Sequence, residues 1–527
     1  MTMTPSLSHV RPLALALAAA AALMAPAVQA ANETTRVIVA FKPGAQGAIR
    51  NAVAAARGSV KLEIHGMDAM AVELPTQALA GLSRNPNVEY VEEDAKRYAF
   101  AAATASTGTP YASGQWVPYG VTMVQADQLA TALSGVAPGT GKKVCIIDSG
   151  YDRAHEDLSA GGNVTGEYDA GTGWWYTDEN SHGTHVAGTI AALNAAGTGV
   201  VGVDPKGVLK LHIVKVFGAD GWAYSSNLVT AANKCRDAQA NVISMSLGGS
   251  ISSRTEQTAF KTLLNTNGIL PIAAAGNGGS SRTSYPAGYA DVVSVAAVDE
   301  FKAWATFSQY NKDVEIAGPG VNVMSTVPMG TGLAPSLNVG GTAYLPGSME
   351  GSPTTSGTGT LFDFGLGDAP NAAAAGKVCL IARGSVDFAT KVSNCQASGG
   401  VGAVVYNNVA GDFAGTLGTA ATAIPSVTAS QALGKELIGK VGQSATVAVG
   451  PSNYANFDGT SMATPHVSAV AALVWTLKPA CTAVQLRNSL NLSAQDLGTA
   501  GRDTKFGYGL VQAKAAVDRI TARGCGL

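Results

Sequence analysis

The chain is 527 residues long, with 13% charged residues, 63 glycines and a formal net charge of −2 at pH 7. That length calls for more than one domain, and the sparse charge suits a compact, loop-rich protein rather than a disordered one. The near-neutral balance leaves no basic footprint for nucleic acid.

The N-terminus reads as a signal peptide: Arg11 gives a weak positive region, residues 13–24 are apolar and alanine-rich, and Val28-Gln29-Ala30 supplies small residues for a cut after Ala30. The alternative, a membrane anchor, suffers from a run too short to span a bilayer comfortably. No other stretch reads as transmembrane, so export is expected, into a compartment that oxidises cysteines. An even count of six, Cys145, Cys235, Cys379, Cys395, Cys481 and Cys525, favours disulfides without dictating connectivity. Cys379 and Cys395 share one local segment and are expected to pair. A Cys481–Cys525 bridge would pin the chain end. Cys145 and Cys235 either pair or stay buried thiols.

Residues 36–94 form a small α+β unit, with strands at 36–41, 69–74 and 88–91 and helices at 48–56 and 76–82. Apolar strands follow at 143–147, 210–217, 242–245, 270–274 and 292–298, with helical stretches such as 226–238 between them. Alternation of this kind implies a parallel sheet with helices on both faces. Asp148 ends the first of these strands, where open α/β sheets carry functional carboxylates. His182 lies in SHGTHVAG. Ser461 lies in GTSMATPHV, where a loop runs into an apolar helix at 467–477, and a helix N-terminus favours developing negative charge near a nucleophile.

The order Asp148, His182, Ser461, together with VCIIDSGYDRAHEDL (144–158), HGTHVAGTIAALN (182–194), MSLGG (245–249) and AAAGN (273–277), resembles the subtilisin-like (subtilase) serine endopeptidases. The resemblance implies an α/β subtilisin-like fold and two-step acyl transfer with Ser461 as nucleophile, His182 as base and Asp148 as orienter. It gives the oxyanion to the Asn277 side chain and the Ser461 N–H. Ser246, Leu247 and Gly248 become the strand edge for an extended substrate, and Ala274, Ala275 and Ser284 walls of the primary pocket. Trp222 is expected at a second apolar subsite or in plain surface packing. No acidic residue stands in these segments, so apolar or aromatic residues are expected before the scissile bond, with broad tolerance. His185 is expected to pack locally. A zinc site from His182 and His185 has i, i+3 spacing and no intervening glutamate, unlike HExxH.

The segment before the catalytic region resembles an inhibitory propeptide, especially VEYVEEDAKRYAF (88–100), and is expected to span 31–100, with self-cleavage after Phe100 leaving Ala101 as the new N-terminus and 101–114 either as an extension or as a segment trimmed later. QWVPYGV (115–121) resembles a mature start, placing the catalytic domain at 111–334 and 451–527. The intervening 335–450 is too long for a structureless loop, and 376–408 resembles a protease-associated (PA) domain, mainly β, either a passive decoration or a contributor to substrate access or partner contact. Calcium is the implied structural cofactor, with Gln115 and Asp157 at ligand positions, although the loop 193–202 is one residue longer than the usual pattern. Implied partners are protein or peptide substrates and the chain's own propeptide, in a secreted monomer bound neither to nucleic acid nor, after signal removal, to membrane. A rival reading is a non-catalytic binding protein on this scaffold, which the joint presence of Asp148, His182, Ser461 and Asn277 disfavours.

Overall fold

The computed structural model describes residues 33–526 apart from 101, 105–108, 111–114, 160, 194–198, 412 and 414. The expected signal peptide, Ala101 and most of the 101–114 extension lie outside the described residues. The chain divides into two compact units, ending and beginning at Asp94 and Ala95.

The first unit is a four-stranded antiparallel sheet of β1 (Thr34–Phe41), β2 (Ser59–Glu63), β3 (Ala69–Pro75) and β4 (Val88–Glu93), in the order β2-β3-β1-β4. Helices α1 (Gln46–Ala55) and α2 (Leu79–Ser83) accompany it. Val37, Val39, Ile49, Val53, Met70, Val72 and Leu74 form its core. Strand β2 escaped the sequence reading because it is an edge strand whose residues are exposed or half-buried, with Lys61 and Glu63 outward.

The second unit opens with β5 (Lys96–Ala99) and is built on a seven-stranded, wholly parallel sheet. Its strands are β6 (Lys143–Asp148), β7 (Val164–Gly166), β8 (Lys210–Lys215), β10 (Val242–Met245), β12 (Leu270–Ala274), β13 (Val293–Val298) and β14 (Ile316–Pro319), in the order β7-β8-β6-β10-β12-β13-β14. All five expected central strands are present. The two that were missed, β7 and β14, are the sheet's edges; one is three residues long and the other contains Gly318 and Pro319, which read as turn signals. Two short strands, β9 (Trp222–Tyr224) and β11 (Leu247–Gly248), stand apart from this sheet and flank β5. Helices α3 (His182–Ala191), α4 (Ser225–Asp237) and α5 (Arg254–Asn265) connect strands, and the helix α7 (Thr460–Leu477) is buried on every side through Trp475.

Between β14 and α7 a second sheet is inserted. Strands β15 (Gly332–Val339) and β20 (Ser444–Ser452) pair antiparallel from Gly332↔Ser452 to Val339↔Ala445, closing the insert at its base. Inside lie β16 (Ser356–Asp363), β17 (Lys377–Ala382), α6 (Phe388–Ala397), β18 (Gly402–Tyr406) and β19 (Ser426–Ala429) around Leu361, Val378, Leu380, Val404 and Val427. The strand, helix and strand expected within 376–408 are all there. Among the described residues, no helix is long and apolar enough to cross a membrane.

All six cysteines are paired, as Cys145–Cys235, Cys379–Cys395 and Cys481–Cys525. The open case thus resolves to a bridge tying the central strand β6 to helix α4 across 90 residues. A cross-link closing so long a loop removes much entropy from the unfolded chain. The Cys145→Ala/Cys235→Ala double variant is expected to lose about 2–5 kcal/mol, read as a lower denaturant midpoint, with a steeper slope as the freed unfolded chain exposes more surface; an unaltered midpoint refutes this.

Candidate active site

Strand β6 is fully buried from Val144 onward and delivers Asp148 at its C-terminal end. Asp148 Oδ1 accepts from His182 Nδ1 at 2.6 Å and from the Ser149 N–H at 2.8 Å. With Nδ1 committed to the carboxylate, Nε2 carries the ring's free lone pair, and that atom is buried with no partner among the described residues. His182 is the first residue of α3, and Ser181 before it is held at φ 74°, an unusual value for a residue with a Cβ. Asp178 fixes this bend. It accepts the Ser181 N–H (2.9 Å), the Ser149 hydroxyl (2.8 Å), the Thr184 N–H (2.8 Å) and the Thr184 hydroxyl (2.6 Å).

Ser461 stands in the first turn of α7, which begins at Thr460 rather than at 467. Pro465 explains how the early start is tolerated. It lacks the N–H that would bond the Ser461 carbonyl four residues back, and the Ser246 hydroxyl donates to that carbonyl instead, at 2.7 Å. In return the Ser461 hydroxyl donates to the Ser246 carbonyl at 2.8 Å. The structure therefore pairs Asp148 with His182 but points the Ser461 hydroxyl at Ser246 rather than at His182. Asn277 follows β12. Its Oδ1 accepts both the N–H and the hydroxyl of Thr460, each at 2.9 Å, which turns the amide nitrogen outward. That nitrogen donates to the Phe100 carbonyl oxygen at 3.1 Å, and the Phe100 N–H donates to Ser461 Oγ at 3.2 Å. Gly459 keeps this spot open: a Cβ there would lie 3.0 Å from Asn277 Nδ2 and strike the Phe100 carbonyl.

The segment leading to Phe100 lies as a third strand between two edges. β5 pairs antiparallel with β9 (Trp222↔Tyr98, Tyr224↔Lys96) and with β11 (Leu247↔Ala99, Gly248↔Tyr98). The Phe100 ring rests on the bare face of Gly248, where an added Cβ would come within 2.7 Å of both ring and pocket wall, the latter from Ser284 Oγ at 2.6 Å. Ala274 and Ala275 are buried at the end of β12, Ala275 among Ala296, Val298 and Leu510. Trp222 does border the groove, but the group over its ring is a cation, Lys96 Nζ at 4.0 Å.

His185 is a packing residue. Its Nε2 bonds the carbonyls of Val323 (2.9 Å) and Ala455 (3.1 Å), its ring stacks on Phe457, and burial, with His182 nearby, pushes its pKa down to about 3. Gln115 and Asp157 are both buried. Gln115 Nε2 donates to the Leu193 carbonyl at 3.3 Å while its Oε1 has no partner among the described residues, and Asp157 accepts the Val200 N–H at 2.7 Å. Burial raises the Asp157 pKa. An orphaned amide oxygen and a desolvated carboxylate, both bonded to the ends of the loop 193–200, are donors of the kind a hard cation takes, but residues 194–198 of that loop lie outside the described residues. No group of three or more His, Cys, Asp or Glu converges among the described residues. Sequence reasoning singled out neither Thr460 nor Asp178; the available signals were a hydroxyl at the first position of the helix and an acid four residues before His182.

Comparison with known proteins matches residues 139–360 to the subtilase family (peptidase S8), residues 352–437 to the PA domain and residues 25–94 to the fervidolysin N-terminal prodomain. Subtilisin J of Geobacillus stearothermophilus is 35% identical over 321 residues, 58% of this chain and 77% of its own. Alkaline elastase YaB of Bacillus sp. (strain YaB) is 30% identical over 450 residues, 85% of this chain and 79% of its own. Among solved structures, the psychrophilic subtilisin-like protease Apa1 from the Antarctic psychrotroph Pseudoalteromonas sp. AS-11 is 42% identical, with a TM-score of 0.64 over 78% of this chain and 100% of that one.

Proposed function

The chain belongs to the subtilase family of serine endopeptidases and carries a prodomain; from this we propose that it is a secreted zymogen that cuts itself after Phe100 and then hydrolyses proteins at apolar or aromatic residues. Asp148, His182 and Ser461 carry the chemistry. One observation supports this most: Phe100 lies with its carbonyl oxygen 3.1 Å from Asn277 Nδ2 and its N–H on Ser461 Oγ, at the end of a strand flanked on both sides as a bound substrate would be.

For reaction, rotation about the Ser461 Cα–Cβ bond moves the hydroxyl from the Ser246 carbonyl to His182 Nε2. Catalytic hydrogen bonds often tighten only as the reacting complex forms. His182 takes the proton as Oγ attacks the Phe100 carbonyl carbon, and Asp148 holds the imidazole in its tautomer and stabilises the cation. The oxyanion is received by Asn277 Nδ2 and the Ser461 N–H, at the positive end of α7. His182 then protonates the departing amine, and water releases the acyl group by the reverse sequence. Ser246, Leu247 and Gly248 bind substrate by strand addition. The bare Gly248 and Ser284, with Ala274 and Ala275 behind, admit an aromatic ring.

The propeptide spans 31–100, following a signal segment of residues 1–30, and the catalytic domain, 111–334 and 451–527, is interrupted by the PA insert at 335–450. The enzyme acts as a monomer. Gln115 and Asp157 would hold a structural calcium ion, whose charge offsets the buried carboxylate.

Ser461→Ala is expected to leave the chain uncut, whereas N-terminal sequencing of the matured wild type yields Ala101; a Ser461→Ala protein that matures alone refutes the assignment. Asn277→Leu should lower kcat about 10²–10³-fold with KM little changed, the magnitude known for removing the equivalent donor in a subtilisin. Chelator should lower the Tm of the wild type, calcium should restore it, and Asp157→Asn should respond to neither; a wild-type melting curve indifferent to chelator rules the ion out.

A further inference from the structure

Arg97, the fourth residue back from the Phe100 carbonyl, is fully buried. Its guanidinium reaches Glu256 Oε2 at 2.8 Å and the carbonyls of Ile251 (2.9 Å) and Lys96 (3.0 Å). Both side chains of the Arg97–Glu256 pair have 0% exposure.

The pocket around this carboxylate is built, and a local rule is broken to build it. Glu256 stands three residues after Ser253, whose side chain caps α5 by accepting the Glu256 N–H at 3.2 Å. In a complete capping box the glutamate would reach back to the Ser253 N–H. Here the Tyr289 hydroxyl accepts that N–H at 2.7 Å and donates to Glu256 Oε2 at 2.9 Å, so the carboxylate is released from the cap and turned into the groove. Burial, then the Glu256 charge, raise the Tyr289 pKa, which keeps its hydroxyl protonated as a donor. Gly249 leaves room for the guanidinium: a Cβ there would meet Arg97 Nη1 at 3.1 Å and strike the Lys96 carbonyl. Among the described residues Glu256 Oε1 and Arg97 Nε find no hydrogen-bond partner, so the pair meets through Oε2 alone and the carboxylate keeps an unfilled acceptor.

We propose that Glu256 makes the fourth subsite of the mature enzyme select for a guanidinium, so that preferred substrates carry arginine three residues before the apolar or aromatic residue at the scissile bond. The inference rests on the proposed function, in which residues 97–100 lie as a substrate does. Once the propeptide leaves, water refills the pocket and solvates the carboxylate. An arginine restores the charge-assisted contacts with the carboxylate and the Ile251 carbonyl. A leucine, which ends at Cδ, would cover the same carboxylate with apolar atoms and supply no counter-ion, and that repulsive element sharpens the choice.

The test compares kcat/KM of matured wild-type enzyme for fluorogenic peptides ending Arg-Tyr-Ala-Phe, citrulline-Tyr-Ala-Phe and Leu-Tyr-Ala-Phe before the reporter. Arginine should exceed both others by about tenfold or more, a margin expected when a site built for a charged partner meets an analogue lacking it. In Glu256→Gln the arginine-to-citrulline ratio should collapse towards one, and in Glu256→Leu the leucine peptide should overtake arginine. Equal rates for arginine and leucine in the wild type overturn the proposal even if neither variant folds. Cleavage of none of the three peptides would instead overturn the substrate-like reading of residues 97–100 itself.

Discussion

The buried helix Thr460–Leu477 is the element on which the site depends. It runs through the middle of the second unit with no exposed face, which small side chains permit: Ala463, Ser468, Ala469, Ala471 and Ala472 line it. The sheet side answers with glycines. A Cβ on Gly318 would meet the Ala463 carbonyl at 2.7 Å, and one on Gly320 would meet the Ala463 side chain at 3.2 Å. Backbone thus packs on backbone, and the first turn of the helix is carried to the C-terminal edge of the sheet. There Thr460 grips Asn277 and Ser461 meets Ser246. Interiors this dense transmit small displacements rather than absorbing them, so the active groups inherit the rigidity of the core.

Two devices convert that rigidity into chemistry. Pro465 deletes one helical hydrogen bond, and the vacancy is filled by the Ser246 hydroxyl, a side chain from the substrate-binding edge. Ser461 and the edge that bears Ser246 are thereby one hydrogen-bonded unit. Asp178 does the same for His182: one carboxylate collects five donors from Asn180, Ser181, Ser149 and Thr184, so the strained entry to the His182 helix and the strand end bearing Asp148 are tied together. Strain at such a position persists only where its surroundings over-determine it.

The groove is occupied by the chain's own residues 96–100, whose strand pairing extends both edges at once. Main-chain hydrogen bonds of this kind tolerate many sequences, so selectivity falls to the pockets. The Phe100 ring lies on a bare glycine, Gly248, whereas Arg97 meets a buried carboxylate, Glu256. A sequence reading that looked for acidic residues only near the primary pocket missed this carboxylate, because Glu256 sits where a helix N-terminus ordinarily has an acid for its own capping.

Much of this protein was legible in its sequence. The central strands, Asp148 at a strand end, Ser461 beside the entry to an apolar helix, and the inserted strand-helix-strand unit all follow from short-range signals: apolar runs, glycine punctuation and motif spacing. The strands missed in the first unit's sheet and in the parallel sheet, residues 59–63, 164–166 and 316–319, are edge strands, which need not be apolar and so leave no periodic trace. Only the tertiary structure decided that Cys145 meets Cys235 and that the Ser461 hydroxyl faces Ser246. It alone decided, too, that Glu256 leaves its cap for Arg97, 159 residues away. Those choices depend on which distant groups packing brings within 3 Å, and on Tyr289 outcompeting a neighbour for one N–H, neither of which leaves a mark in the local order of residues.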